Sequence, residues 1–373
     1  MMNCIFLGSD ITSHAEVNTL PIAHDEYAPL DDQFGGASCL VGGNPYFRPF
    51  RKNDFQLTMS LLRIPILLYT QKFPGKPNDI SFGRLAKWKV LDRLHSQAWA
   101  DFERVALEMP ADDFFMVMDG LMHRSEHHSI LDDYVKGGSS QDLIRLIRGH
   151  LNIHKGWSIR TADWADEVSE DQWKEFYRHL DLAQEDLSGT FEHPTFQQYA
   201  FMSLLFIARG KGDKEAGQNL YQSATTQFAE SPQIFQAYMN LMTPRWCGSA
   251  EEMLEIAKSQ SGGLRTLGLL MYLVEMYSEY FYEDYLGAKP KFRAAHQDLF
   301  VSWAKDFNIG EDEGFLTIYT RNYLACVYNA FGLKRECDQV LKSLAGNISD
   351  WPWIIFGPEN ARDLKLYRMA GIV

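Results

Sequence analysis

Trp157-Ser158-Ile159-Arg160-Thr161-Ala162-Asp163-Trp164-Ala165-Asp166-Glu167-Val168-Ser169 and Leu241-Met242-Thr243-Pro244-Arg245-Trp246-Cys247-Gly248-Ser249 bracket the part of the chain whose periodicity decides the fold. Just inside the first segment, Ser169-Glu170-Asp171-Gln172 has the spacing of a capping box, in which each end satisfies an orphan backbone N–H of the other. Trp173, Phe176, Tyr177, Leu180, Ala183 and Leu187 follow as one apolar stripe at helical spacing. A helix over about 194–208 and another over 213–228 come next, with Gly210 and Gly212 at the joint as a helix stop requires. Ser231-Pro232 opens a further helix, serine as N-cap and proline at the first position. Ser249-Ala250-Glu251-Glu252 reads as a second capping box.

The same periodicity extends in both directions. On the N-terminal side Leu91, Leu94, Ala98, Phe102, Val105 and Met109 predict one helix, ended by Pro110. Asp112 and Asp113 open the next, where carboxylates favour the positive helix end, and Phe114, Phe115, Met118 and Leu121 form its apolar face. Gly137-Gly138-Ser139-Ser140 is a turn, and Leu143, Ile144, Ile147 and Leu151 carry the helix after it. On the C-terminal side, aromatic-rich helices are expected over about 264–285, 292–307 and 314–331. Leu324-Ala325, Tyr328, Gly332, Cys337, Leu341 and Leu344 reproduce the tetratricopeptide spacing in order, with a small residue at 337 where paired helices approach. Ala216, Leu220 and Ala224 give a looser match. The expected fold is all-α: stacked antiparallel helix pairs, a tetratricopeptide-like solenoid. Residues 1–80 differ, with Gly35-Gly36, Gly42-Gly43 and seven prolines. They are expected to be an irregular N-terminal extension packed on a helical-repeat domain spanning 81–373.

Composition narrows the function. Aromatics make up 13% of the 373 residues, ample for a core. The net charge of −13 repels phosphate backbones, so nucleic acid is not the expected partner, and it attracts a basic protein instead. The five cysteines, Cys4, Cys39, Cys247, Cys326 and Cys337, have irregular spacing and suit free thiols of a cytoplasmic protein. No signal peptide and no membrane span are expected, because the most apolar runs fall short of the ~18 residues required.

Three motifs carry a family resemblance: Trp157-x-x-Arg160, the stripe from Trp173 to Leu187, and Pro244-Arg245-Trp246-x-Gly248-Ser249. Together they resemble an uncharacterised bacterial family of tetratricopeptide-like helical domains, over little more than a quarter of the chain. Cys247 departs from it, since that position is usually glycine. The resemblance implies a helical fold and no catalytic residue. The genomic setting of such proteins, beside secreted toxin systems, implies an immunity or accessory role.

Two candidate sites follow. Arg245 offers a bidentate carboxylate clamp, Trp246 a stacking surface and Ser249 a helix start; Arg160 adds a possible fourth member of this ligand site. The competing reading is a structural corner, with Trp246 in the core and Arg245 paired to a buried acid. Cys247 beside Arg245 is a candidate for a lowered thiol pKa. Asp163, Asp166, Glu167 and Glu170 around Trp164 form an acidic patch with an aromatic anchor, suited to a basic protein partner such as a toxin. Tyr277, Tyr280, Phe281, Tyr282 and Tyr285 cover more than one helix face and are candidates for a peptide groove. His123, His127 and His128 lack a third metal ligand and the His-Glu-x-x-His order, and read as a solvated cluster. No nucleophile elbow, cofactor motif or metal site is expected. The function expected first is non-enzymatic protein binding, in an immunity or accessory role. The second is an enzyme or small-ligand binder with a pocket around Arg245, Trp246 and Ser249.

Overall fold

Apolar stripes at helical spacing have to be buried against one another, and here they are buried helix on helix. The computed structural model describes residues 63–73, 75–161, 167–284, 287–356, 358 and 361–369. Among them there is no strand. The helices are α1 Arg63–Lys72, α2 Arg84–Lys87, α3 Val90–His95, α4 Trp99–Glu108, α5 Ala111–Met122 and α6 His128–Gly137. The central set is α7 Gln141–Arg160, α8 Glu170–Leu187, α9 Pro194–Lys211, α10 Lys214–Gln227, α11 Pro232–Leu241 and α12 Ala250–Ser259. The C-terminal set is α13 Gly262–Glu283, α14 Ala288–Ala304, α15 Phe315–Phe331, α16 Lys334–Ser343 and α17 Ala361–Met369. Neighbours in sequence pack as pairs, α7 on α8, α9 on α10, α12 on α13 and α15 on α16. The protein is all-α, built of stacked helix pairs, and no helix among the described residues is long and apolar enough to cross a membrane.

Local chemistry accounts for the helix ends. The capping box at Ser169 is complete, with Ser169 Oγ accepting from Gln172 N and Gln172 Oε1 accepting from Ser169 N at 3.0 Å. The box at Ser249 is only half formed: Ser249 Oγ accepts from Glu252 N, but the Glu252 carboxylate is taken by Lys214 Nζ at 2.6 Å. Gly212 ends α9 in the left-handed region at φ 68°. Gly210 is no stop; it lies inside α9, where a Cβ would come within 2.9 Å of Leu180 on α8.

Two further expectations change. The stripe from Leu91 to Met109 is broken into α3 and α4 at Gln97, whose φ is 55°. The break lets Trp99 turn edge-on to Tyr134, with ring centroids 5.7 Å apart. Within the segment expected to be irregular, Arg63–Lys72 is helical, and Pro65 is accommodated because it falls in the first turn. Residues 1–62 lie outside the described residues.

Candidate ligand-binding cavity

Several helices turn a polar stripe inward, and the stripes meet. His150 and His154 lie one turn apart on α7, Met202, Phe206 and Arg209 follow one face of α9, and Gln233, Gln236, Ala237 and Asn240 follow one face of α11. Asp119 of α5 and His123 just beyond it, Glu275 of α13, Phe315 and Tyr319 of α15, and Asp350 and Trp351 near the C-terminus complete the wall. Thr243, Arg245 and Trp246, from the corner between α11 and α12, form its rim. Together they line a half-enclosed cavity of about 180 Å³.

The charges in this wall are unevenly matched. Arg245 Nε donates to Glu275 Oε1 at 2.7 Å and its Nη2 to Ser278 Oγ at 2.6 Å. Burial raises the Glu275 carboxyl above its ordinary value while Arg245 opposes the rise. His123 Nε2 lies 3.1 Å from Asp350 Oδ2. Arg209, only 4% exposed, has its guanidinium carbon 5.4 Å from the Trp246 ring, 5.3 Å from Phe206 and 5.8 Å from Trp157. It makes no ion pair among the described residues, and its Nε has no hydrogen-bond partner there.

Titratable groups in the wall are shifted mainly by burial. Asp119 is pushed up to about 7, with His123 pulling the other way. The surface Asp119 exposes is cavity wall. His150 is pushed down to about 3 by burial and then by His128, and its Nδ1 lies 3.0 Å from Ser203 Oγ. His154 is pushed well down for the same first reason, and its buried Nδ1 has no partner among the described residues. Burial, then Asp119 and Asp350, raises Tyr319 well above its ordinary value. Near neutrality the wall therefore offers a half-protonated carboxyl at Asp119, neutral imidazoles at His150 and His154 and the uncompensated guanidinium of Arg209. Such a set can hold a polar molecule and exchange a proton with it.

The candidates read from sequence are distributed as follows. Arg245 and Trp246 line the cavity. Arg245 also has the buried acid of the structural-corner reading, so the corner is both braced and open on one side. Ser249 caps α12 and Arg160 lies buried over Trp157 and Trp173, at 5.7 and 4.9 Å; neither lines the cavity. Cys247 corrects the thiol expectation: burial raises its pKa and outweighs the pull of Arg209. Glycine is needed one position later, because a Cβ on Gly248 would lie 2.2 Å from the Met242 carbonyl oxygen. Of the acidic patch, Glu167 and Glu170 are exposed, while Asp163, Trp164 and Asp166 lie outside the described residues. Tyr277 and Phe281 are core rather than groove, at 4.9 and 5.0 Å from the Phe356 ring; Tyr282 is exposed and Tyr285 is outside the described residues. His123, His127 and His128 are half-buried rather than solvated, and His128 packs edge-on to His154 at 5.6 Å.

Sequence reasoning missed Asp119, His150, His154, Arg209, Gln233, Gln236 and Asn240. The available signal was a polar stripe at helical spacing inside otherwise apolar helices, clearest in Gln233-x-x-Gln236-x-x-x-Asn240 of α11. Scans against family models, curated proteins and solved structures each find no match to this chain.

Proposed function

We propose that this protein binds a small polar organic molecule in the cavity beside Arg245 and Trp246. The observation that carries the reading is the convergence of polar side chains from α5, α7, α9, α11, α13 and α15 on one half-enclosed space. Placed polar groups set among apolar side chains such as Met202, Phe206 and Trp246 are what a small-molecule site requires, since the polar groups orient and the apolar ones exclude water. A volume of about 180 Å³ is below the range typical of drug-sized ligands, so the occupant is a compact metabolite. Asp119, with its carboxyl raised to about 7, would allow acid–base chemistry on it. The test is native mass spectrometry of the full chain as purified, with the Asn240→Trp variant as a blocked control. A bound small molecule present in the wild type and lost in the variant supports the reading, and equal spectra for the two refute it.

A second reading is docking of a basic protein, as an immunity or accessory partner would require. It is favoured by the net charge of −13 and by the exposure of Glu167 and Glu170 at the start of α8. Affinity capture from lysate at low and high salt tests it, and a stoichiometric partner released by salt is the expected result.

A further inference from the structure

Arg209 singles itself out among the arginines. Arg245, on the same wall, is answered by Glu275 at 2.7 Å, and Arg84, comparably buried, by Asp113 at 3.2 Å. Arg148 is answered by Asp186. Arg209 has three aromatic rings around it and no anion among the described residues. Aromatic faces attract a guanidinium, but they do not accept the in-plane N–H donors that project past their edges. Nor do the carboxylates of the wall serve. Glu275 is engaged by Arg245 and Asp350 faces His123, and Asp119 forms no ion pair with Arg209. A buried charge without a counterion is costly to keep, so its natural complement is a charge that arrives with a ligand.

A second unfilled atom lies nearby. His154 Nδ1 is buried and without a partner among the described residues, and His154 sits one turn before Trp157, the ring beneath Arg209. Asn240, from the facing stripe of α11, lines the same space.

We propose that the ligand of this cavity is a small organic anion whose carboxylate or phosphate is held by Arg209, with His154 and Asn240 as further hydrogen-bonding groups of the same site. The proposal rests on the cavity being a ligand site. Arg209 then supplies charge and a planar fork, and Trp246 and Trp157 hold that fork in place. The cavity volume of about 180 Å³ suits short carboxylates and phosphorylated small molecules.

The test uses the full chain and two matched pairs of probes, succinate with succinamide and glycerol 3-phosphate with glycerol. Binding is followed by intrinsic tryptophan fluorescence, since Trp157 and Trp246 flank Arg209. In parallel, the small molecules released on denaturation are identified by mass spectrometry. An anion is expected to bind, or to be released, where its neutral counterpart is not. Which pair responds separates carboxylate from phosphate. Arg209→Gln should weaken that binding by about 30-fold or more, and Arg209→Lys by less, because the charge remains while the fork is lost. The thermal midpoint of ligand-free Arg209→Gln should be no lower than that of the wild type, whereas an arginine kept for structure would lower it. A neutral released molecule, neutral probes binding as well as the anions, or unchanged affinity in Arg209→Gln would overturn the anion assignment and leave the cavity reading standing. No released molecule and no probe binding would remove both.

Discussion

The aromatic packing of α14 between α13 and α15 and the inward faces of α7, α9 and α11 are built by the same rule, helices packed side by side, yet the first is filled and the second leaves a cavity. In the first, Phe292 meets Tyr277 at 5.3 Å and Phe331 at 4.9 Å, and Phe300 stacks on Phe331 at 4.6 Å. Cys337, fully buried, is small enough for α16 to approach α15. In the second, the inward positions carry His150, His154, Arg209, Gln236 and Asn240, and a cavity remains between the helices. Aromatic and small side chains interdigitate to interior density, whereas polar side chains that must keep hydrogen-bonding partners cannot fill space so freely. What separates a filled layer from a cavity in this protein is therefore the chemistry of the inward stripe and not the helix architecture.

That contrast can be broken from either side. The largest effect is expected in the closed layer: Phe292→Ala should cost about 3–5 kcal/mol, read from urea unfolding, because the hole cannot collapse between two fixed helices. A loss under about 1 kcal/mol would show the layer to be looser than described.

Next in size is Asp119→Asn on the open wall. The folded carboxyl is raised from 3.8 to about 7, so the native state holds this proton more tightly than the unfolded chain does. Its contribution favours the fold fully below about pH 4, is lost as pH rises toward 7, and is flat above that. Asparagine stays neutral, so the variant should lack this slope and be the more stable protein at pH 8, by ~4 kcal/mol at most. Parallel pH profiles of thermal midpoint for the two proteins would contradict this.

Cys337→Leu should cost about 1–3 kcal/mol by overpacking the α15–α16 contact. Asn240→Leu, a change of similar kind on the cavity wall, should alter stability by less than about 0.5 kcal/mol while impairing any ligand binding. Equal losses for these two leucine variants would erase the distinction between the layers.

How far the site could be read from sequence follows from the same physics. Arg245 and Trp246 stood out because Pro244-Arg245-Trp246-x-Gly248-Ser249 is a compact motif at a helix joint. Arg209 did not, because an arginine in the last turn of a helix ordinarily serves the helix dipole. His150 and His154 carried little local signal, because they sit singly among the apolar residues of α7. Ser249 seemed to belong with Arg245 by proximity in the chain, and Arg160 was added from a separate motif, but a cap and a π-stacked guanidinium have their own partners.

The sequence by itself determined the helices, most of their ends and their pairing, because 3.6-residue periodicity, caps and left-handed glycines act within a few residues of one another. It determined the irregularities less well: Gln97 breaks a continuous stripe, and Trp99 just beyond it meets Tyr134 of another helix. Only the tertiary structure decided which polar stripes share one cavity and which arginine is left without a counterion. Those facts depend on side chains from α5 to α15, far apart in the chain, and no local propensity records what faces what across a packed interior.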